Sequence, residues 1–112
     1  MPNDRSEPHR VFQALADPTR CRVIERLAAG PTSTTSLAEE FDMALPSFLQ
    51  HLRVLSDVGL VTSTKNGRVR TYALDPTGLE FVAEWLDDNR LRWETRLDQL
   101  DELVIRLHEE EK

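Results

Sequence analysis

The sequence predicts a mainly α-helical domain carrying a two-stranded β-wing, and three observations predict it. Apolar residues recur at three- and four-residue spacing through four short segments before residue 58 and one long one after residue 75. Asn66-Gly67 separates two alternating stretches rich in β-branched residues, a strong short hairpin signal. The segment 45–57 joins an apolar stripe to an outer face bearing Ser47, Gln50, His51 and Arg53, and it closely follows another short helical segment. Two short helices in that arrangement make a helix-turn-helix pattern.

Length and composition fit this class. The chain has 112 residues, enough for one modest core, with 39% hydrophobic and 30% charged residues. No apolar run nears the roughly 18 residues of a membrane span. The opening "MPNDRSEPHR" lacks the charged-then-apolar pattern of a secretory signal, and a single cysteine permits no intrachain disulfide. A cytoplasmic protein without a membrane partner is the expectation.

Residues 1–8, with Pro2, Asn3, Asp4 and Pro8, read as a flexible tail. Residues 9–75 read as the winged helix-turn-helix domain, and residues 76–112 as a C-terminal dimerisation helix belonging to it. The first helix turns Val11, Phe12 and Leu15 to one side. In the second, "ADPTRCRVIERLAAGP", Asp17 is placed to cap, Pro18 suits the first helical position, and Gly30-Pro31 ends the run. Val23, Ile24 and Leu27 form its apolar stripe.

"TSTTSLAEEFD" reads as a brief third helix with Ser33 at its N-cap and Leu37, Ala38 and Phe41 inward. The fourth has Pro46 in its first turn. Leu45, Phe48 or Leu49, Leu52 and Leu55 form its stripe, and Gly59 closes it. Two strands follow, joined by a type I′ turn centred on Asn66-Gly67. Such a ribbon is marginal alone and must lean on the helices. From Asp75-Pro76 onward the pattern is helical. Leu86, Trp93, Leu100 and Leu107 lie seven apart, and Arg90, Leu97 and Val104 follow the first three by four, a heptad seam flawed at Arg90. A seam of that length exceeds what one small domain covers, so part of it is expected to pair with a second copy. Whether this helix breaks near Asp87–Asn89 is left open.

A net charge of −6 at first argues against a polyanionic partner. The charge is unevenly spread. Residues 43–74 carry Arg53, Lys65, Arg68 and Arg70 against Asp57 alone, a local +3, while residues 1–42 total −2 and residues 75–112 total −7. Only charges within a Debye length of about 8–10 Å govern a contact. A major groove about 12 Å wide accepts one helix, whose N-terminal side chains reach base edges. Ser47, Gln50 and His51 are therefore the expected base-reading residues, and Arg53, Lys65, Arg68 and Arg70 the expected phosphate contacts. An amphipathic helix whose polar side merely meets water is the plainer alternative, and cations on an exposed ribbon can also serve only to discourage edge pairing. Three cations within six positions of one turn favour the contact.

No metal and no cofactor are expected. Zinc needs about four ligands at fitting spacings, and Cys21, His9, His51 and His108 are scattered. Catalysis finds neither a Gly-rich phosphate loop nor a nucleophile elbow, so an enzyme is not expected. Two alternatives stay open: a metal- or thiol-responsive sensor on the same scaffold, with Cys21 as the redox handle, and a winged helix that binds protein and not DNA.

The pieces "LADPTRCRVIERL", "LPSFLQHLRVLSDVGLV" and "GRVRTYAL", in this order across residues 10–75, resemble the ArsR-type (arsenic-repressor-like) winged-helix regulators. The resemblance implies a dimeric bacterial repressor paired through its first and last helices. Val11, Phe12 and Leu15 would then meet the seam of Leu86, Trp93, Leu97, Leu100, Val104 and Leu107. It further implies a recognition helix from Leu45 to Asp57 and a wing from Lys65 to Arg70. Two such helices would enter successive major grooves about 34 Å apart, on double-stranded DNA with an imperfectly palindromic operator. Three departures mark this chain. Ser33 and Thr35 stand where metal-sensing members have a Cys-x-Cys, and the Asp-x-His with His-x-x-His set has no counterpart. Ala44 replaces a usual capping serine. Leu49-Gln50 replaces a serine followed by a basic residue. The first departure points to the non-metal-sensing subgroup and leaves the inducer unknown.

Overall fold

Residues 8–111 are described in this computed structural model. Eight elements follow in order: α1 (Pro8–Leu15), α2 (Pro18–Leu27), β1 (Thr32–Ser33), α3 (Thr34–Glu39), α4 (Leu45–Asp57), β2 (Val61–Asn66), β3 (Val69–Leu74) and α5 (Pro76–Glu110). Of the expected tail, residues 1–7 lie outside the described residues, and Pro8 is already the first residue of α1. The chain divides into two units, Met1–Val82 and Ala83–Lys112, so the opening turns of α5 belong with the first. Among the described residues no helix is long and apolar enough to cross a membrane.

Local chemistry sets the helix ends. The amide of Arg20 donates to Asp17 Oδ2 at 3.0 Å, and Pro18 occupies the first turn of α2, where a missing donor costs nothing. Ser36 N–H donates to Ser33 Oγ at 3.1 Å at the start of α3. Ala44 occupies the N-cap of α4 with no side-chain bond, so that helix starts without a cap worth about 1 kcal/mol. Its C-terminus is better closed. Leu60 N–H donates to Leu55 O and Gly59 N–H to Ser56 O, both at 3.0 Å, with Gly59 at φ +80°. This is a Schellman motif, whose apolar clasp is the buried pair Leu55 and Leu60. Asp75 then caps α5 by accepting from Thr77 N–H at 3.0 Å.

The sheet has three strands in the order β1-β3-β2, all antiparallel. β2 and β3 form the expected two-stranded wing, and the short β1 adds a third strand at its base. Thr32 and Ser33 pair with Tyr72 and Thr71, giving β3 partners on both sides at its base. The wing turn differs from expectation. Asn66 pairs with Val69, so the central residues are Gly67 and Arg68 and not Asn66 and Gly67. Gly67 has φ +65°, and no described non-glycine residue has a positive φ, the pattern of a type II′ turn and not type I′. The register is set from the base of the ribbon: Asp75 N–H donates to Leu60 O at 2.9 Å, continuing the ladder that pairs Val61 with Leu74.

The core of the first unit gathers Val23, Leu37, Phe48, Leu52, Leu55 and Leu60, all fully buried, with the Phe41 ring centred 5.0 Å from that of Phe48 and tilted by 34°. Val11 was expected on a dimer face but is 1% exposed within its own chain, because α1 needs it to close this core, and Leu15 packs against the same cluster. Of that trio Phe12 is the exposed one. Leu45 and Leu49 were offered as part of the inward stripe of α4, yet both face outward, since Phe48, Leu52 and Leu55 already fill the space beneath the helix.

α5 opens in close contact with the end of α4. A Cβ built on Gly78 would lie 1.8 Å from Gly59 O. The helix then runs unbroken to Glu110, without an interruption near Asp87–Asn89. In the second unit Leu86, Trp93, Leu97, Leu100, Val104 and Leu107 are 49–68% exposed.

Candidate nucleic-acid interface

The outward side of α4 and the inward side of β3 frame a cavity of about 630 Å³ lined by Pro46, Leu49, Gln50, Arg53, Arg70 and Tyr72, with Thr34, Ser56 and Asp57 completing it. The pairing of β2 with β3 explains why Arg70 belongs there. Residues two apart on a strand share a face, so Arg70 lies on the side of Tyr72, which is buried against the helices. Its Nη1 donates to Ser63 Oγ at 2.8 Å, and its carbonyl accepts from Thr34 Oγ1 at 3.0 Å. Lys65 is directly opposite Arg70. Like charges across a ladder repel, and a bound anion relieves that repulsion.

Of the residues expected to touch DNA, the structure brings Gln50, Arg53 and Arg70 to one cavity. Ser47 is exposed in the first turn of α4, and Lys65 and Arg68 are exposed at the wing tip. His51 is half-buried and turned toward the start of α2. Arg20 Nη1 is 3.1 Å from His51 Nδ1, and Asp17 Oδ2 is 3.7 Å from the same nitrogen. Arg20 also bonds the carbonyl of Ala14, so one guanidinium links α1, α2 and α4. The sequence pattern could not show this link, because Arg20 and His51 are 31 residues apart. It also missed Thr34, Ser63 and Leu49 as parts of the surface.

The Arg20 amide holds the Asp17 carboxyl below its ordinary value, against the opposing effect of burial, and the charges of His51 and Arg20 add to the lowering. A depressed carboxylate stabilises the fold above its unfolded value near 3.8, and that contribution is lost as pH falls through the folded value. Asp17→Asn keeps a side-chain acceptor and removes the charge. Its stability deficit, measured by urea unfolding, is expected to be present at pH 7 and to shrink toward pH 3. A deficit that does not change with pH rules out the charge.

Among the described residues no group of three or more His, Cys, Asp and Glu is gathered for a metal. Ser33 spends its hydroxyl on the α3 cap. Cys21 is half-buried, its thiol donating to Leu15 O at 2.7 Å.

Comparison with known proteins agrees with this geometry. A family profile described as a helix-turn-helix domain matches residues 15–64. The HTH-type transcriptional regulator Rv2034 of Mycobacterium tuberculosis is 45% identical over 80 residues, which cover 71% of this chain and 75% of that protein. The transcriptional repressor SdpR of Bacillus subtilis is 30% identical over 78 residues, covering 70% and 87%. Among solved structures, an ArsR-like transcriptional regulator from Rhodococcus sp. RHA1 superposes with a TM-score of 0.75 at 31% identity, covering 88% of this chain and 92% of that one. A crystal structure of an ArsR family transcriptional regulator gives 0.72 at 46% identity, covering 77% and 94%. Identity of this size across most of each relative, on one shared fold, makes the chain a regulator and not an enzyme: it belongs to the ArsR family of winged helix-turn-helix DNA-binding transcriptional regulators.

Proposed function

We propose that the chain acts as a homodimeric, cytoplasmic repressor in a bacterium, binding an imperfectly palindromic operator and blocking transcription of its own or a neighbouring operon. The observation that carries this reading is that Arg53 and Arg70 share one cavity on the exposed side of α4, with Lys65 opposite Arg70 on the wing, in a chain of net charge −6. A helix with that surface fits a major groove, and the two helices of a symmetric dimer fit successive grooves about 34 Å apart. Gln50 and Ser47 supply base contacts, and Gln pairs bidentately with adenine. His51, its Nδ1 engaged with α2, fixes the angle of α4 and offers the groove at most its other edge. Arg53, Lys65, Arg68 and Arg70 hold phosphates and supply much of the affinity. Residues 9–75 thus carry the DNA contact and residues 76–112 the pairing of two copies. One similar protein is a named repressor, which agrees with occlusion of a promoter.

The signal that releases DNA is not a soft metal held at α3. The matching positions, Ser33 and Thr35, are hydroxyls, and Ser33 is committed to its helix cap. The non-metal-sensing reading rests on that chemistry.

The test removes the wing cations. Each phosphate contact contributes about 0.9 to the slope of log K against log salt. Arg68→Ala with Arg70→Ala deletes four cations per dimer. It is expected to weaken binding to operator and random duplexes alike, by tenfold or more near 0.15 M salt, and to flatten the slope by about 2–4. An unchanged slope takes the wing out of the contact.

A further inference from the structure

We infer that Leu45 and Leu49 read the 5-methyl groups of thymine in the major groove. The inference rests on the DNA-binding reading above and names what two outward residues of α4 recognise. Leu45 is 52% exposed and Leu49 40% exposed, while Phe48, Leu52 and Leu55 of the same helix are fully buried. The core therefore closes without them. They stand one turn apart in the N-terminal half of α4, the half that reaches base edges when a helix enters a groove. Leu49 shares its cavity with Gln50, Arg53 and Arg70. Together with Thr34, Thr35, Ala38 and Glu39, Leu45 and Leu49 also line a second, smaller cavity of about 310 Å³ between α3 and α4. An apolar ledge thus borders the polar face of the helix.

The chemistry of the groove selects the occupant. Thymine alone presents a methyl group at the major-groove floor, and aliphatic side chains contact it there. Gln50, adjacent to Leu49, has the bidentate amide suited to adenine, so the two neighbours match features of A·T pairs. Arg53 and Arg70, which share a cavity with Leu49, and Lys65 opposite Arg70 on the wing complement a phosphate backbone, which argues for DNA over a protein surface. Burying one methyl is worth about 0.8 kcal/mol. At about 1.4 kcal/mol per tenfold, that is close to a fourfold change in affinity.

The probe is the duplex that the purified protein itself selects from a random library. Each thymine is replaced in turn by uracil, which removes only the methyl and keeps every hydrogen-bonding group of the pair. The wild type is expected to bind about fourfold more weakly at one or two thymines in each half-site. Leu45→Ala and Leu49→Ala should each abolish that difference at its own position, with melting temperatures close to wild type because both side chains are exposed. Equal binding of thymine and uracil duplexes throughout overturns the inference while leaving the DNA-binding reading intact. So does a thymine preference that survives both substitutions. A protein that selects no duplex overturns the DNA reading, and the thymine assignment with it.

Discussion

Gly78→Ala is expected to destabilise the domain by about 3 kcal/mol, although alanine in an open helix would stabilise it by about 1 kcal/mol. The sign reverses because of what the new methyl meets. It would lie 1.8 Å from Gly59 O and 2.7 Å from Gly59 C, both backbone atoms that cannot rotate aside. Gly59 is pinned in turn. Its φ of +80° ends α4, and the bonds from Gly59 and Leu60 back to Ser56 and Leu55 hold that carbonyl in place. α5 is pinned as well, by the Asp75 amide on Leu60 O and by the Asp75 cap. One of these anchors must give way. At 4–8 °C per kcal/mol for a domain of this size, the melting temperature should fall by more than about 10 °C. A variant that melts at or above the wild type would show that α5 does not approach α4 so closely.

That contact could not be read from the sequence, where Gly59 and Gly78 are nineteen positions apart, although Gly59 itself was legible as a helix end. The same division runs through the fold. Asp17, Ser33 and Gly59 act on residues within five positions, and their roles follow from spacing alone. β1 does not, since two polar residues give no alternation to detect, and it exists only because β3 offers a free edge at Tyr72 and Thr71. Asn66-Gly67 announced a hairpin correctly but misplaced its centre by one residue. The reason is that Leu60 and Asp75 fix the ladder from its base, so the tip takes whatever turn remains. Within the candidate site, Gln50, Arg53 and Arg70 were legible as polar positions on a patterned helix and strand. The engagement of His51 with Arg20, and the outward placement of Leu45 and Leu49, depend on tertiary packing that periodicity does not encode.

The largest functional effect is expected from Leu97→Gln combined with Leu100→Gln. Both residues lie in the heptad seam, and they are 50% and 55% exposed in the single chain. A helix that leaves Trp93 68% exposed and Val104 63% exposed presents far more apolar surface than an isolated domain requires. The proposed pairing with a second copy would remove that surface from water. Fully burying one leucine is worth about 1.5–3 kcal/mol, and a symmetric dimer would bury both residues twice. Glutamine in their place forfeits most of that gain without altering net charge, so a change in DNA affinity cannot be assigned to electrostatics. Since neither leucine contributes to the buried core of residues 8–82, the melting of that unit should be unaffected. On the proposed pairing, the wild type should sediment as a dimer and the double variant, at the same concentration, as a monomer. Binding to a two-half-site duplex should weaken by about 10²- to 10⁴-fold, the usual worth of linking two binding modules. Affinity for a single half-site should stay within twofold, because each recognition helix and wing is untouched. Persistence of the dimer would remove the last helix from the pairing surface. A palindromic operator would then need a different two-fold contact to explain it.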